Sequence, residues 1–151
     1  MRTVTPAHQA LTLYRPDRGA PALPCPLFLE KVSCGFPSPA RDYIEQELDL
    51  NEYCIAHPAA TYFLRASGSS MQDIGLYDGD LLVVDRSLTP GHGDIVVAET
   101  DGEFTVKSLL TTPRLALQPM NPAYPVMYPD PDRLEIFGVV IHFIHTTRGR
   151  N

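Results

Sequence analysis

A serine and a lysine in separate segments of this chain are the residues best suited to hydrolysis without a histidine. Ser70 follows the turn-forming pair Gly68-Ser69, and Lys107 lies in a β-rich segment beside Val106. A serine is a poor nucleophile at its ordinary pKa, so it needs a proton acceptor within hydrogen-bond distance. A lysine can accept that proton when it is neutral, and burial among apolar side chains lowers its pKa. Ser70 is therefore a candidate nucleophile and Lys107 a candidate general base.

The backbone around Ser70 could also supply an oxyanion hole. Gly68 permits a tight turn, which would direct the amides of Ser70 and Met71 toward one point. This chemistry requires no metal and no cofactor. A serine in a Gly/Ser-rich turn is nevertheless most often a turn residue, and Ser67 and Ser69 are equally placed for that role. A lysine in a strand usually extends its ammonium into solvent, so the pattern alone leaves a structural interpretation open.

The elements that must position this pair are predicted to be strands. From Thr61 onward, short β-rich runs alternate with turn residues, which is typical of a mainly β domain with antiparallel sheets. Asp101-Gly102 lies between two such runs and predicts a hairpin turn. Residues 136–141 are apolar on both faces, which predicts a strand in the middle of a sheet. The predicted strands are residues 62–66, 81–85, 94–99, 103–109, 115–118 and 134–145.

The amino-terminal region has a different composition. It is rich in proline and shows no sustained apolar period, so we predict an extended arm over residues 1–34. A linker over residues 35–60 is expected to contain a short helix at 39–48, with Ser38 as its N-cap. Residues 61–148 complete the predicted organisation as the β-rich domain.

Composition narrows the classes of protein that this chain could be. Its 151 residues are 44% hydrophobic and 20% charged, which is typical of one globular domain. A net charge of −6 argues against a protein that mainly neutralises nucleic-acid phosphates. The cysteines at 25, 34 and 54 do not form the pattern of a disulfide framework. Because no signal-peptide h-region or long apolar run is present, we expect a cytoplasmic protein without a membrane anchor.

Other reactive side chains are interpreted as structural. His142 and His145 are three positions apart on a predicted strand, so they point to opposite faces and do not predict a metal site. Residues 120–125 could position a substrate or simply connect strands, and the sequence leaves both possibilities open. A Cys-His protease built on Cys54 and His57 is disfavoured because both residues precede the β-rich region. A calcium loop is disfavoured because its ligand spacing is incomplete; its candidate ligands are Asp73, Asp78 and Asp80.

Ordered motifs along most of the chain carry a family resemblance. They include Cys-Gly-Phe-Pro-Ser-Pro-Ala at 34–40, Asp-Gly-Asp-Leu-Leu-Val-Val-Asp at 78–85 and Asp-Gly-Glu-Phe-Thr-Val-Lys at 101–107. With further matches at 57–63, 92–96 and 137–142, the chain resembles the LexA-like Ser-Lys peptidases from about residue 26 to 148. Within that family it is most similar to the UmuD-type accessory proteins of translesion polymerases. The implied fold is one of twisted antiparallel sheets with a short helix and an extended amino-terminal arm.

The resemblance implies specific roles for individual residues. It makes Ser70 the nucleophile, Lys107 the general base and Cys34-Gly35 the bond that the protein cuts in its own chain. It favours Ser70 over the neighbouring serines because the family's nucleophile directly precedes a methionine, here Met71. The family commonly has Ser-Gly-Asp-Ser-Met, whereas this chain has serine at position 69, so we expect an altered rate rather than a loss of activity.

The resemblance also implies partners. A RecA filament on single-stranded DNA would promote self-cleavage in the SOS response to DNA damage, which would remove the arm 1–34. The processed homodimer would then join a UmuC-type polymerase subunit. The proline-rich residues before Gly35 do not fit a helix-turn-helix domain, so no direct sequence-specific DNA binding is expected. Two alternatives are a non-catalytic dimeric module that regulates a polymerase, and a signal-peptidase-like enzyme. The absence of a predicted membrane anchor counts against the second alternative.

Overall fold

A computed structural model describes residues 2–4, 13–28, 31–37 and 45–149. The chain divides into two compact units, one formed by Met1–Arg18 with His57–Asn151 and the other by Gly19–Ala56. Within these residues there is one α-helix, α1 (Leu50–Cys54), and there are 3-10 turns at Pro58–Ala60 and Gln72–Ile74. The strands are β1 (Arg2–Val4), β2 (Leu13–Arg15), β3 (Cys25–Phe28), β4 (Glu45–Leu48), β5 (Thr61–Arg65), β6 (Leu81–Asp85), β7 (Ile95–Thr100), β8 (Glu103–Leu110), β9 (Ala116–Gln118) and β10 (Leu134–Ile144).

The larger unit is built on one antiparallel sheet. Its eight strands follow the order β1-β2-β5-β6-β10-β7-β8-β9, which confirms the predicted mainly β fold. The apolar carboxy-terminal strand β10 lies between β6 and β7, as its sequence predicted. Val96 and Val97 are consecutive in β7 and therefore point to opposite faces, and each belongs to a different apolar cluster. Both faces of this part of the sheet are consequently covered.

The β7–β8 hairpin forms at the predicted turn. Asp101 and Gly102 both have positive φ angles, 51° and 80°, as a two-residue hairpin turn requires. Pairing continues from Thr100 opposite Glu103 to Ile95 opposite Ser108. This register places Lys107 opposite the fully buried Val96.

A bulge in β10 requires a glycine. The register of β10 against β7 shifts between Ile136 and Gly138. A Cβ atom at Gly138 would lie 2.6 Å from Cγ1 of Val84 and 3.2 Å from the carbonyl oxygen of Asp85 on the neighbouring strand. The glycine therefore lets β10 and β6 approach closely, and this contact connects the two halves of the sheet.

The smaller unit contains β3 and β4, which pair antiparallel from Cys25 opposite Leu48 to Phe28 opposite Glu45. The prediction of a helix over 39–48 is wrong for residues 45–48, because their backbone pairs with β3. Residues 38–44, including the predicted N-cap Ser38, lie outside the described part of the chain. A short helix is present further on as α1, where the Asp49 side chain accepts a hydrogen bond of 3.0 Å from the amide of Asn51.

Part of the predicted arm contributes strands to the larger unit. Arg2–Val4 pairs with Leu13–Arg15, and Tyr14 lies opposite Phe63 of β5. The proposed division of the chain at residues 34 and 60 stays a prediction. Among the described residues, no helix has the length and apolar character needed to cross a membrane.

Candidate active site

Ser70 lies in a closed loop between β5 and β6. The neck of this loop is fixed where the Ala66 amide donates to the Asp80 carbonyl (2.9 Å) and the Gly79 amide donates to the Ala66 carbonyl (2.8 Å). Gly68 has a positive φ of 88°, and its amide donates to the Asp78 carboxylate at 2.8 Å. The loop residues that sequence reasoning assigned to turn formation therefore shape the segment that carries Ser70.

Lys107 meets Ser70 from the hairpin strand β8. Its Nζ lies 3.0 Å from Ser70 Oγ, so the two residues predicted as a pair are within hydrogen-bond distance. Nζ also lies 2.6 Å from Thr105 Oγ1 and 3.2 Å from the Val106 carbonyl oxygen. The residue is only 8% exposed, so Lys107 is not the solvent-extended lysine of the structural interpretation.

Burial lowers the pKa of Lys107 from its ordinary value of 10.5. The physical cause is desolvation, since an ammonium loses more solvation than a neutral amine when it leaves water. The neutral base is therefore available at a lower pH than in an exposed lysine. A perturbed pKa beside a nucleophile in a pocket is typical of a functional site.

The three partners of Lys107 suit the hydrogen-bonding capacity of a neutral amine. Such an amine has two N–H donors and one lone pair. If the two N–H groups donate to Thr105 Oγ1 and the Val106 carbonyl, the lone pair faces Ser70 Oγ. In that arrangement the serine hydroxyl donates to Nζ, which is the geometry that proton abstraction requires.

A pocket of about 230 Å³ opens beside this pair. Its lining combines the Ser70 loop with apolar side chains that include Leu64, Leu76 and Phe104. Apolar walls can receive a side chain of an extended peptide while a few polar groups orient the reacting bond. The site can therefore accommodate a peptide next to an activated serine.

The segment at 120–124 holds the nucleophile loop in place. The Met120 amide donates to the Ser70 carbonyl at 2.8 Å, and Asn121 Nδ2 donates to the Ser69 carbonyl at 2.8 Å. The hydroxyl of Tyr124 lies 3.0 Å from Ser69 Oγ. These contacts show that the segment supports Ser69 and Ser70, a role that the sequence analysis did not consider, and a role in positioning substrate stays a prediction.

Sequence reasoning missed Thr105 and Asn121. Thr105 had a usable signal, because it lies two positions before Lys107 and therefore on the same face of a strand. Asn121 had no such signal, since its contact with Ser69 joins distant parts of the chain. The side chain of Met71 is buried in the core, at 4% exposure. The proposed oxyanion role of the Ser70 and Met71 amides stays a prediction.

The predicted scissile bond lies in the smaller unit. Residues 34–36 form an exposed bend, within which the Ser33 hydroxyl donates to the Phe36 carbonyl. Cys34 is exposed, and Phe36 is 92% exposed. The Cys34–Gly35 bond is thus in an accessible segment, as a protease substrate must be.

Two histidines of the described residues lie next to buried carboxylates. His57 Nδ1 lies 2.5 Å from Oδ2 of the buried Asp85. His145 Nδ1 lies 2.5 Å from Oδ1 of the buried Asp80. Burial alone would raise the pKa of Asp85, but hydrogen bonds from Ser87 and His57 outweigh it and lower that pKa. In the part of the chain that the structure describes, no cluster of three or more His, Cys, Asp or Glu residues could hold a metal ion.

The Cys-His alternative finds no support in the environment of its cysteine. Burial raises the pKa of Cys54, which disfavours the thiolate that a cysteine nucleophile needs.

A comparison with known protein families matches most of the chain. Residues 26–141 match the model of the Peptidase S24-like family, so the chain belongs to the S24-like peptidases. This family includes self-cleaving serine peptidases.

Several relatives are similar over most of the chain. Protein SamA of Salmonella typhimurium is 59% identical over 138 residues, which cover 91% of this chain and 97% of SamA. Protein MucA of Escherichia coli is 61% identical over 119 residues, covering 78% and 82% of the two chains. The LexA repressor of Methylococcus capsulatus is 39% identical over 132 residues, covering 85% and 63%. The predicted resemblance to UmuD-type proteins is confirmed, and it supports an accessory role in SOS mutagenesis.

Proposed function

We propose that this protein is a serine endopeptidase that cuts its own Cys34–Gly35 bond with Ser70 as nucleophile and Lys107 as general base. The observation that carries the proposal is the 3.0 Å contact between Ser70 Oγ and Nζ of a buried lysine whose pKa is lowered. Membership of the S24-like family supports the reaction type. The polar contacts of Lys107 support its assignment as a base rather than a surface charge.

The mechanism follows from the donors and acceptors in the site. Neutral Lys107 takes the proton of Ser70 as Oγ attacks the Cys34 carbonyl carbon, and backbone amides stabilise the resulting oxyanion. Lys107 then protonates the Gly35 nitrogen, the C–N bond breaks, and Cys34 remains bound to Ser70 as an ester. Lys107 next takes a proton from water as the water oxygen attacks the ester carbon, and it returns that proton to Ser70 Oγ as the C–O bond breaks. Cys34 leaves with a free carboxyl group, which ionises in solution.

The biological setting of the proposal comes from the relatives. UmuD-like homologues are associated with error-prone polymerase function. We infer that a RecA filament on single-stranded DNA stimulates the cut in the bacterial cytoplasm. The processed chain then acts as a homodimer that is the accessory subunit of a UmuC-type translesion polymerase. Neither step requires sequence-specific DNA binding by this chain, whose net charge is −6.

The direct test is the intact mass of purified protein after incubation. Wild type and Ser70→Ala are held at alkaline pH and, separately, with RecA, single-stranded DNA and a nucleotide. Fragments 1–34 and 35–151 should form from wild type and not from Ser70→Ala. Thr146→Ala is the control, because Thr146 is an exposed hydroxyl residue that does not line the pocket, and it should cut normally. Cutting of Ser70→Ala, or a cut at another bond, would overturn the assignment.

A further inference from the structure

We propose that the edge of β5 is a peptide-binding site that retains the amino-terminal segment after the chain is cut, so that processing leaves a nicked complex. The occupant is strand β2 (Leu13–Arg15) of the chain's own amino-terminal segment. Cleavage at Cys34–Gly35 rests on the proposed function. The binding site itself can be tested by cutting any peptide bond between β3 and β4. Retention of the segment goes beyond the cleavage reaction itself.

The first reason is the position of the Cys34–Gly35 bond in the topology. It lies between β3 and β4, which are paired through four residues of each strand, from Cys25 opposite Leu48 to Phe28 opposite Glu45. A cut there assigns β3 to the amino-terminal fragment and β4 to the remainder. The backbone pairing between them does not depend on the broken bond, so it persists after cleavage.

The second reason is that the amino-terminal segment fills part of the core of the larger unit. Leu13 in β2 is only 5% exposed and belongs to the apolar cluster that contains Leu64, Met71 and Leu82. Departure of the segment would return Leu13 to water and leave its position in the core empty. A buried leucine makes dissociation unfavourable for the same reason that it stabilises folding.

The third reason is a set of polar contacts that give the site a preference for one kind of peptide. Arg15 donates a hydrogen bond of 2.7 Å to the Ala59 carbonyl, and its guanidinium lies 5.1 Å from the centroid of the Tyr62 ring. Tyr14, between the two anchors, pairs with Phe63 of β5. The site therefore fits an extended peptide with a large apolar residue followed two positions later by arginine.

The distribution of lysines provides an independent way to cut this connection. The chain contains lysine only at positions 31 and 107; Lys31 is exposed and Lys107 is buried. A lysine-specific endoprotease should therefore cut the folded protein after Lys31, three residues before Cys34. The Ser70→Ala chain is used, because its nick depends only on the added protease.

The test is size-exclusion chromatography followed by intact mass of each fraction. Under native conditions, fragments 1–31 and 32–151 of the nicked Ser70→Ala chain should elute together, and denaturant should separate them. Immediate separation under native conditions would overturn the proposal. If wild type failed to cut itself while the nicked chain held together, only the proposed function would fail.

Matched variants test whether Leu13 is the anchor. Release is followed by exchange of the bound fragment with a labelled synthetic peptide of residues 1–31. Leu13→Ala should release its fragment at least tenfold faster than the parent chain, and the milder Leu13→Val should fall between them. Leu23→Ala removes the same atoms from a side chain that is 73% exposed, so its exchange should match the parent. Equal exchange in the parent, Leu13→Val and Leu13→Ala chains would contradict the proposed site.

Discussion

Burial of Lys107 lowers its pKa, and it also makes the charged form of this side chain costly in the folded protein. Its Nζ has three polar contacts within the protein. Burial from solvent favours the neutral amine over the ammonium. Since folding lowers the pKa of Lys107, the unfolded chain binds more protons between the two pKa values, and stability rises with pH there. Below both values the folded protein carries the full cost of a buried charge.

Replacement of Lys107 by methionine should abolish unassisted cleavage and raise stability. Methionine has a similar shape and no charge to desolvate, so we expect unfolding free energy to rise by about 1 kcal/mol at neutral pH. Urea denaturation of an uncleavable Ser70→Ala background measures this change, with exposed Lys31→Met as the control. A lower stability of the Lys107→Met chain would show that the lysine contacts outweigh desolvation.

Thr105→Val should alter both the rate and its pH dependence. Valine keeps the shape of threonine but removes the acceptor that lies 2.6 Å from Nζ. The plateau rate should fall by roughly tenfold because the amine is oriented less well, a barrier increase of about 1.4 kcal/mol. The midpoint of the rise in cleavage rate with pH should move to lower pH, because the Lys107 ammonium loses a hydrogen bond and its pKa falls.

The measurement is self-cleavage rate against pH for wild type, Thr105→Val and the exposed control Thr146→Val. In wild type the rate should rise with pH, with its midpoint below 10.5, the ordinary pKa of lysine. A profile of Thr105→Val that coincides with wild type would remove Thr105 from the site.

Among the elements, the connection between β9 and β10 determines where the nucleophile loop lies. Asn121 is buried at 9% exposure and holds the Ser69 carbonyl, while its own Oδ1 accepts from the Ala123 amide at 3.0 Å. One side chain thus joins two segments that have no strand pairing with each other. The position of Ser70 therefore depends on a loop that carries no proposed chemical role.

Asn121→Ala should slow self-cleavage by at least tenfold without moving the midpoint of its pH profile. The loss follows from a less ordered Ser70, because small misplacements of reacting groups are costly. The midpoint should stay because the contacts of Lys107 with Thr105 and Val106 remain. The exposed Asn51→Ala serves as the control. A shifted midpoint would mean that Asn121 acts on the base rather than on the position of the nucleophile.

The elements also show which parts of the fold the sequence could predict. The six strands from residue 61 onward were predicted to within about one residue at most of their ends. Their apolar residues form the core, so the sequence pattern marks them. The four strands before it were missed, since they are short, β3 contains Pro26, and partners rather than their own pattern stabilise them. Ser70 and Lys107 were predictable from residue chemistry and family motifs. Asn121 was not, because its role exists only in the folded chain.

At the scale of the whole molecule, stability in acid should depend on the buried carboxylate Asp85. Its folded pKa lies below the ordinary value of 3.8, so it contributes stability above that value and loses it as pH falls through the folded pKa. Ser87 donates to Asp85 through its amide at 2.8 Å and through its hydroxyl at 2.6 Å. These contacts help keep the carboxylate ionised inside the protein.

Ser87→Ala should move acid unfolding to higher pH. The variant loses the hydroxyl donor, so the folded pKa of Asp85 rises toward its unfolded value and protonation begins sooner. Circular dichroism during acid titration measures the unfolding midpoint, with the exposed Ser67→Ala as the control. An unchanged midpoint would show that other groups govern unfolding in acid.

The central place of β10 has a consequence for the order of events during synthesis. Ser70 precedes β6 and Lys107 lies in β8, and β10 is the strand that joins β6 to β7. A ribosome makes residues 134–144 after both halves of the site, so the two halves share no sheet until β10 has been made. A nascent chain therefore cannot align its serine with its lysine early. The proposed self-cleavage would therefore begin only after strand β10 has joined the sheet.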